Sequence, residues 1–487
     1  MWSVVALIVL IVPLSVGTEE SREHDQAEGI VMATPDWPTV FELNVGESRT
    51  IRRHLAETQL ERDVKLLGVQ EYWEPDFFTG AGESRTLRLA EVTVEVNGVQ
   101  ATLKCRPYQM PVTVNGLRIY VETTRRWARE AEIERMTEVD ADVRLSAVAD
   151  GEGWGPRDFV FPVKHYRWRA SSYFNTWSSL VPYNKLYYHR GEDFGAIPDC
   201  LPVVCALPGQ IVQSPLPNGD GDSNGLIIET EAGIRVQYYH MNAESITTSA
   251  VAGNQVSGGA ILGKTGMTWD GRRSQTNDPH LHFGLSYHDT AISAFPTMVE
   301  SYFREYPDSL IAIAGGYHFA EPEQRVLLDG SRSQARPGQT ITSYEWRLHD
   351  GRCVREATAH VAYTAPGLYS EELIVRTAHG AEARDFAQVR VYDRARGRNM
   401  VTGWVYHDPT RGIKPGQPVT IWNRLSNTRS DVRVDFGDGS PVEVIQEHAI
   451  HAFSSPGLFT VSFVSSGPDD EPAMAKMCVV VEPAEEQ

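Results

Sequence analysis

Apolar and polar residues alternate along much of this chain, and a period of two residues predicts β-strands with one buried face. The run Thr86–Val96 alternates in this way and leads into Asn97 and Gly98, a pair typical of a two-residue hairpin turn. Similar runs recur between residues 30 and 161. We therefore expect a β-rich N-terminal domain of unassigned type, which serves as a spacer or as a lid over a cleft.

Residues 162–310 contain shorter apolar runs that are separated by turn residues. These runs predict further strands, around residues 226–229, 235–239 and 280–285. Helical patterns are rare in the chain. A charged segment and an amphipathic segment predict short helices, at residues 125–136 and 297–306.

The remaining residues contain one pattern twice, which indicates an internal repeat. In each copy an Asp-Gly pair favours a tight turn between two strands, and a Pro-Gly pair precedes a terminal strand. The pairs are Asp350-Gly351 with Pro366-Gly367, and Asp438-Gly439 with Pro456-Gly457. The repeat predicts two β-sandwich modules, at residues 311–394 and 398–484. The fold class expected for the whole chain is mainly β and multidomain.

Composition and charge narrow the function classes. The 487 residues are 41% hydrophobic and 22% charged, as is usual for globular domains. The formal net charge is -19. Proteins that bind nucleic acid or anionic membranes need clustered Lys and Arg, so we expect no nucleic-acid partner.

The N-terminal segment has the pattern of an export signal. An apolar run from Val4 to Val16 has the length of a signal-peptide core and is too short to cross a bilayer. Small residues at Ser15 and Gly17 predict a signal peptide of residues 1–17, followed by a disordered leader of residues 18–29. An uncleaved anchor is the alternative. After cleavage we expect no stable membrane span and a secreted or cell-envelope location.

Five cysteines in an exported chain leave at least one thiol unpaired. Cys200 and Cys205 are close enough in sequence to close a small disulfide loop in an oxidising compartment. Short loops often fail to meet disulfide geometry, so two buried thiols are the alternative.

Five polar residues carry the candidate chemistry: His189, Asp193, His240, His280 and His282. A catalytic zinc takes three ligands from His, Asp or Glu and leaves a position for water, whereas structural zinc sites are usually rich in Cys. The set contains no Cys. Alternate side chains of a strand share a face, so the last two histidines point the same way while the Leu between them faces the sheet. Scattered histidines without a common role are the alternative to an open zinc site.

The chain resembles the lysostaphin-type (LytM-type) zinc endopeptidases in three segments: His189-Arg-Gly-Glu-Asp193, Tyr238-Tyr-His240 and His280-Leu-His282-Phe283. The resemblance implies an antiparallel β-sheet core with a cleft at one end. It implies that His189, Asp193 and His282 bind zinc. It also implies that His240 and His280 are catalytic histidines that do not bind the metal. The two C-terminal modules resemble polycystic-kidney-disease (PKD) domains, which implies spacers or ligand-binding arms.

The resemblance leads us to expect a secreted zinc endopeptidase that hydrolyses peptide bonds, above all the peptide cross-bridges of peptidoglycan. Its partner would then be peptidoglycan or an extracellular protein substrate. Two alternatives stay open. One is a non-catalytic protein that binds or adheres to wall or matrix polymers, and the other is an endopeptidase that acts on Gly-rich proteins.

Several features near the motifs bear on substrate choice. Gly284 stands where the resembling family often has an acidic residue, and the loop 267–279 is longer than the family's usual turn. Tyr238 either adds a hydrogen bond to the site or packs in the core. His288, just past the motif, is a candidate to support the ligands. The sequence leaves open which of the two catalytic histidines is the base.

A calcium-like motif lies between the first two segments. Asp220, Asp222, Asn224 and Glu231 match the spacing of an EF-hand loop. An EF-hand also needs a helix on each side, and three prolines upstream exclude one. We therefore expect no calcium site here.

Overall fold

The computed structural model describes residues 30–32, 34, 36–55, 58–75, 85–130, 139–172, 174–182, 186–269, 272–273, 279–287, 290–393 and 401–484. The signal peptide and leader expected at residues 1–29, and His288, lie outside the described residues. So does part of the predicted helix 125–136. Within this part of the chain no helix has the length and apolar composition needed to cross a bilayer.

The N-terminal part consists of two antiparallel sheets. Its strands are β1 (Ile30–Met32), β2 (Thr39–Leu43), β3 (Ser48–Leu55), β4 (Thr58–Pro75), β5 (Arg85–Val96), β6 (Val99–Cys105), β7 (Val112–Val114), β8 (Leu117–Thr124) and β9 (Val143–Ala149). The strand orders are β1-β2-β9-β8-β7 and β3-β4-β5-β6. Alternation has the predicted effect in β5, where Val92, Val94 and Val96 are buried and the residues between them are partly exposed. Helix α1 (Arg125–Glu130) follows β8 and begins where the sequence predicts a helix.

The middle part is built on one large antiparallel sheet with the order β10-β13-β22-β17-β16-β15-β18, with β23 paired to β22. Its strands are β10 (Phe174–Asn175), β11 (Leu180–Pro182), β12 (Leu186–Tyr188), β13 (Glu192–Gly195), β14 (Pro202–Val204), β15 (Gly209–Gln213), β16 (Leu226–Glu229), β17 (Ile234–Tyr239), β18 (Gln255–Val256), β19 (Ile261–Lys264), β20 (Thr268–Trp269), β21 (Arg272–Arg273), β22 (His280–Tyr287) and β23 (Thr290–Ile292). Helix α2 (Phe295–Glu305) packs its apolar face on this part, as the pattern at residues 297–306 predicts.

The C-terminal part contains two successive β-modules. The first has β24 (Leu310–Ile311), β25 (Tyr317–Ala320), β26 (Val326–Asp329), β27 (Gln334–Ala335), β28 (Ile341–Arg347), β29 (Cys353–Val354), β30 (Thr358–Val361), β31 (Gly367–Thr377) and β32 (Glu382–Val391). The second has β33 (Val405–Asp408), β34 (Pro418–Asn423), β35 (Val432–Asp435), β36 (Glu443–Ile445), β37 (His448–Ala452), β38 (Gly457–Ser466) and β39 (Pro472–Val481). Each has its own buried cluster. A bridge between Leu368 and Ala473 joins their sheets.

The core of the middle part continues into its neighbours. Tyr108 of the N-terminal part and Tyr406 of the second module belong to the same buried cluster as Phe194 and Phe283 of the large sheet. Arg169 and Asp385 form a buried ion pair of 2.7 Å that joins the middle part to the first module. Removal of either neighbour would expose apolar side chains, so residues 162–310 are not a self-contained core.

The cysteines are thiols in this structure. Cys200 donates to Oδ1 of Asp408 at 2.9 Å, and Cys205 donates to the Leu207 oxygen at 2.8 Å. All five cysteines lie among the described residues and all are free. The disulfide considered for Cys200 and Cys205 is therefore not formed, because each sulfur points to a different oxygen acceptor.

Candidate metal centre and active site

Two neighbouring strands bring the first and last motifs together. In the register of β13 and β22, Asp193 pairs directly with His282. His189 lies just before β13, and Gly191 makes the bend between them with a φ of +124°. A Cβ at Gly191 would lie 2.6 Å from the Phe283 oxygen and 2.8 Å from Nε2 of His282, so only glycine fits at this point.

Three ligand atoms converge at this point. Nε2 of His189 lies 3.0 Å from Oδ1 of Asp193, and Nδ1 of His282 lies 2.9 Å from the same oxygen. The two histidine nitrogens are 3.1 Å apart. Ligands of a tetrahedral zinc lie about 3.3 Å apart at usual bond lengths of about 2.0–2.1 Å. The triangle therefore fits a metal ion of this kind, and these three residues form a group able to hold one.

Burial and charge set the protonation states of this cluster. Burial by itself raises the pKa of Asp193, but positive charge at His189 and His280 and hydrogen bonds from His189 and His282 outweigh it and hold the pKa well below its usual range. Burial lowers the pKa of His282 despite the bond to Asp193. The carboxylate is therefore ionised and His282 is neutral, which is the state that metal ligands require.

Asn175 supports the carboxylate from the opposite side. It lies opposite Asp193 in the register of β10 and β13, and its amide donates to Oδ2 of Asp193 at 2.8 Å. Both side chains are buried. The bond leaves Oδ1 directed at the two histidines. Sequence reasoning missed Asn175, because a single Asn at the end of a two-residue strand gives no pattern.

The remaining two histidines lie beside the ligand cluster. The rings of His240 and His280 are 4.6 Å apart, and Nε2 of His280 lies 3.4 Å from Oδ1 of Asp193. His280 and His282 therefore point to the same side of β22, as alternation predicts. Burial lowers the pKa of His240 well below its usual range, and a positive charge on His280 lowers it further. His240 is neutral as a result.

Tyr238 packs in the core and does not point into the site. Of the two roles considered for it, packing is the one that the structure shows. Strand β17 ends at Tyr239, and His240 takes a left-handed φ of +71°, so the alternation of faces stops before the histidine. The hydroxyl of Tyr238 accepts the Ala206 N–H at 2.7 Å and its ring is fully buried. Tyr239 is the tyrosine whose ring lies 5.8 Å from the ring of His282.

The two departures noted near the motifs have different structural settings. Gly284 pairs with Gln237, whose side-chain oxygen would lie 3.1 Å from a Cβ at position 284. An acidic side chain at this point would displace Gln237. In the loop 267–279, residues 270–271 and 274–278 lie outside the described residues. Trp269, at the start of that loop, stacks on His240 at 5.0 Å and is 36% exposed.

In the calcium-like loop, the carboxylate of Asp220 accepts hydrogen bonds from the backbone of the loop itself. Oδ1 of Asp220 accepts the N–H groups of Asp222 and Asn224 at 2.8 and 3.0 Å, and Oδ2 accepts the N–H of Gly225 at 2.7 Å. The segments that follow and precede the loop are strands, β16 and β15. The structure therefore supplies no flanking helices, as the prolines predict.

Comparisons with known proteins agree with this geometry. The sequence profile of Peptidase family M23 matches residues 187–294, and PKD domain profiles match residues 310–391 and 404–473. A search of curated proteins found no match.

Three solved structures are similar over parts of the chain. A structure from Ruminococcus gnavus ATCC 29149 that carries the name glycyl-glycine endopeptidase lytM is 20% identical, covers 29% of this chain and 59% of its own, and has a TM-score of 0.22. Fibronectin(III)-like modules of Clostridium thermocellum CbhA are 16% identical, with coverages of 37% and 97% and a TM-score of 0.14. SGBP-B of the Bacteroides ovatus mixed-linkage glucan utilization locus is 16% identical, with coverages of 36% and 44% and a TM-score of 0.14.

TM-scores of this size carry no argument about function, so the assignment rests on the sequence profiles. The matched region spans only 59% of the first of these solved chains. Residues 187–294 form a domain of peptidase family M23, a metallopeptidase type of hydrolase, and two PKD domains follow it in the chain.

Proposed function

We propose that this protein is a secreted, zinc-dependent endopeptidase that hydrolyses the peptide cross-bridges of peptidoglycan. One observation carries the proposal: three ligand atoms of His189, Asp193 and His282 converge within 3.1 Å, and His240 and His280 lie beside them. The M23 profile over the same residues supports a peptidase.

We infer that His189, Asp193 and His282 hold the metal. When bound, zinc supplies a Lewis acid that polarises a carbonyl and acidifies water. Asn175 keeps the Asp193 carboxylate in the orientation that directs Oδ1 to the metal position. Gly191 allows the backbone to approach His282 closely.

His240 is suited to act as the general base. Its Nδ1 lies 2.9 Å from the backbone oxygen of Thr268, which can only accept, so Nδ1 carries the proton. Nε2 is then an acceptor and takes the proton of the attacking water. We assign the neighbouring His280 to hydrogen-bond the oxygen of the scissile carbonyl as charge develops on it.

The substrate proposal rests on the lysostaphin-type motifs and on the PKD domains. Two modules of this kind beside a peptidase domain are suited to hold an enzyme at a polymer, which raises the local concentration of substrate without altering the site. His240 stacks on Trp269, a partly exposed aromatic ring that offers a surface for a peptide.

The test compares two substrates with the full-length protein. Purified peptidoglycan and a soluble Gly-rich protein are each incubated with the enzyme, with and without a chelator, and with the His282→Ala variant as a control. We expect new amino groups from peptidoglycan only with the metal and with His282 intact. Cleavage of the Gly-rich protein alone would favour the second substrate class. Binding to peptidoglycan without cleavage would show a non-catalytic adhesion protein.

A further inference from the structure

The loop of residues 220–225 lies directly behind His240. The N–H of His240 donates to the oxygen of Ser223 at 2.7 Å. His240 has a φ of +71°, a conformation that non-glycine residues adopt only when their surroundings hold them there. The loop therefore supports the backbone of a residue that we place in the active site.

Thr268 contacts His240 on two sides. Its N–H donates to the His240 oxygen at 3.1 Å, and its own oxygen accepts Nδ1 of His240 at 2.9 Å. This second bond fixes the tautomer of the ring and leaves the lone pair on Nε2. The position of the Thr268 peptide group therefore decides which nitrogen of His240 is free to accept a proton.

A chain of buried side chains fixes Thr268 in turn. The amide of Asn224 donates to Oγ1 of Thr268 at 3.3 Å and to the Met241 oxygen at 2.8 Å. Oγ1 of Thr268 donates to Oδ1 of Asn242 at 3.1 Å, and the amide of Asn242 donates to Asp199 at 2.8 Å. An amide NH2 only donates and a carboxylate only accepts, so every bond in this chain has one direction.

Asn224 belongs both to the calcium-like motif and to this series of hydrogen-bonded side chains. Asn224 is 3% exposed and has a left-handed φ of +53°, which Asn tolerates better than most residues. The carboxylate of Asp220 accepts its N–H, and Oδ1 of Asn224 accepts the N–H of Asp220 at 3.3 Å. The motif therefore fixes the position of Asn224 within the loop.

We propose that Asn224 and Thr268 are positioning residues that hold His240 as the Nδ1–H tautomer, with Nε2 free for the reaction. The catalytic meaning of this inference rests on the base role proposed above for His240. The tautomer itself is independent of that role and is measured separately from activity.

The experiment uses the full-length, zinc-loaded protein with ¹⁵N-labelled histidine, and His240 is assigned by the signal missing in His240→Gln. Ring ¹⁵N shifts distinguish the two tautomers. Asn224→Asp keeps size and tolerates the left-handed backbone but has no side-chain N–H, and Thr268→Val keeps the branched shape but has no hydroxyl. We expect both variants to give a mixture of tautomers, with kcat lower by about tenfold and with KM and zinc content unchanged.

Two matched controls separate positioning from folding. Thr268→Ser keeps the hydroxyl and should retain the wild-type tautomer and kcat. Asp222→Ala removes an exposed side-chain bond to Ser223 from the same loop and should change neither. An unchanged tautomer in both Asn224→Asp and Thr268→Val overturns the proposal, and so does Thr268→Ser that is as impaired as Thr268→Val. If the tautomer shifts as expected while the wild type cleaves no peptide, the proposed function fails and the positioning role stands.

Discussion

Two clusters of residues with metal-ligand side chains lie near Tyr239. They differ in the groups that their acceptor atoms face. The His282 ring lies 5.8 Å from the Tyr239 ring. On the loop side, burial first and then the charges of Asp220 and Asp222 raise the pKa of Tyr239 to about 12. In the first cluster the ligand atoms point at one another across 2.9–3.1 Å. In the second, both oxygens of Asp220 are occupied by backbone N–H groups.

The comparison shows that residue type and spacing do not determine which groups the carboxylate oxygens face. The two oxygens of Asp220 offer about four acceptor sites, and backbone N–H groups use three of them, so little of this carboxylate is left for a cation. At Asp193, Oδ2 accepts the side-chain amide of Asn175, and Oδ1 lies within 3.4 Å of ring nitrogens of His189, His280 and His282. The two clusters therefore differ in their surroundings. Oδ1 of Asp193 faces side-chain nitrogens, whereas the oxygens of Asp220 face backbone N–H groups.

The largest expected effect is in the first cluster. His282→Ala removes one of three ligands, so the zinc content should fall from about one per chain to near zero and hydrolysis should be lost. Elemental analysis after gel filtration measures this. His360→Ala, which alters an exposed histidine of the first module, is the matched control and should keep its metal. Full zinc retention in His282→Ala would contradict the ligand assignment.

Removal of a histidine beside the ligands should separate metal content from rate. In His240→Ala zinc should stay bound, while turnover of a peptide substrate falls on the order of a hundredfold, because the proton acceptor is lost. The same separation is expected for His280→Ala. Parallel metal analysis and kcat measurements check it. Loss of zinc from His240→Ala would mean that a catalyst and a ligand have been exchanged in our assignment.

A smaller effect is expected for the support of Asp193. Asn175→Ala leaves all three ligands in place but frees the carboxylate to rotate, so zinc affinity should fall by about tenfold or more. Competition with a chromogenic chelator gives the dissociation constant. Asn254→Ala, at an exposed Asn whose side chain donates to the Ser249 oxygen, should leave the affinity unchanged. An unchanged constant in Asn175→Ala would show that Asp193 needs no support.

The smallest effects belong to the calcium-like loop. Calcium at millimolar concentration should not raise the Tm of the wild type, because the oxygens of Asp220 are already bonded. Asp220→Ala should lower the free energy of unfolding by about 1–3 kcal/mol through the lost acceptors. Asp222→Ala, at an exposed neighbour, should cost less. A calcium-dependent rise of Tm that disappears in Asp220→Ala would show that Asp220 binds calcium, and it would contradict the difference between the two clusters.

Local patterns in the sequence predicted much of this architecture. Alternation predicted the buried valines of β5 and the common side of His280 and His282, because both follow from the geometry of one strand. The internal repeat predicted the two C-terminal modules, which the PKD profiles confirm. The exact domain boundaries stay predictions.

Other features depend on contacts that no local pattern reports. Asn175 meets Asp193 only because β10 and β13 pair, and Thr268 meets His240 across 28 residues. The face of Tyr238 was left open because a strand pattern does not show where the strand ends, and here a left-handed residue ends it. The roles of the five site residues remain proposals for the experiments above.

Tyr188 connects the N-terminal part to the candidate metal centre. Its ring lies in the N-terminal core against Trp127, and its hydroxyl bonds both the N–H and the oxygen of Leu87. The next residue in the chain is His189. The packing of Tyr188 therefore helps to place His189 at the ligand cluster. If undocking of the N-terminal part displaces His189, it weakens ion binding, and ion binding then favours the docked state by the same free energy.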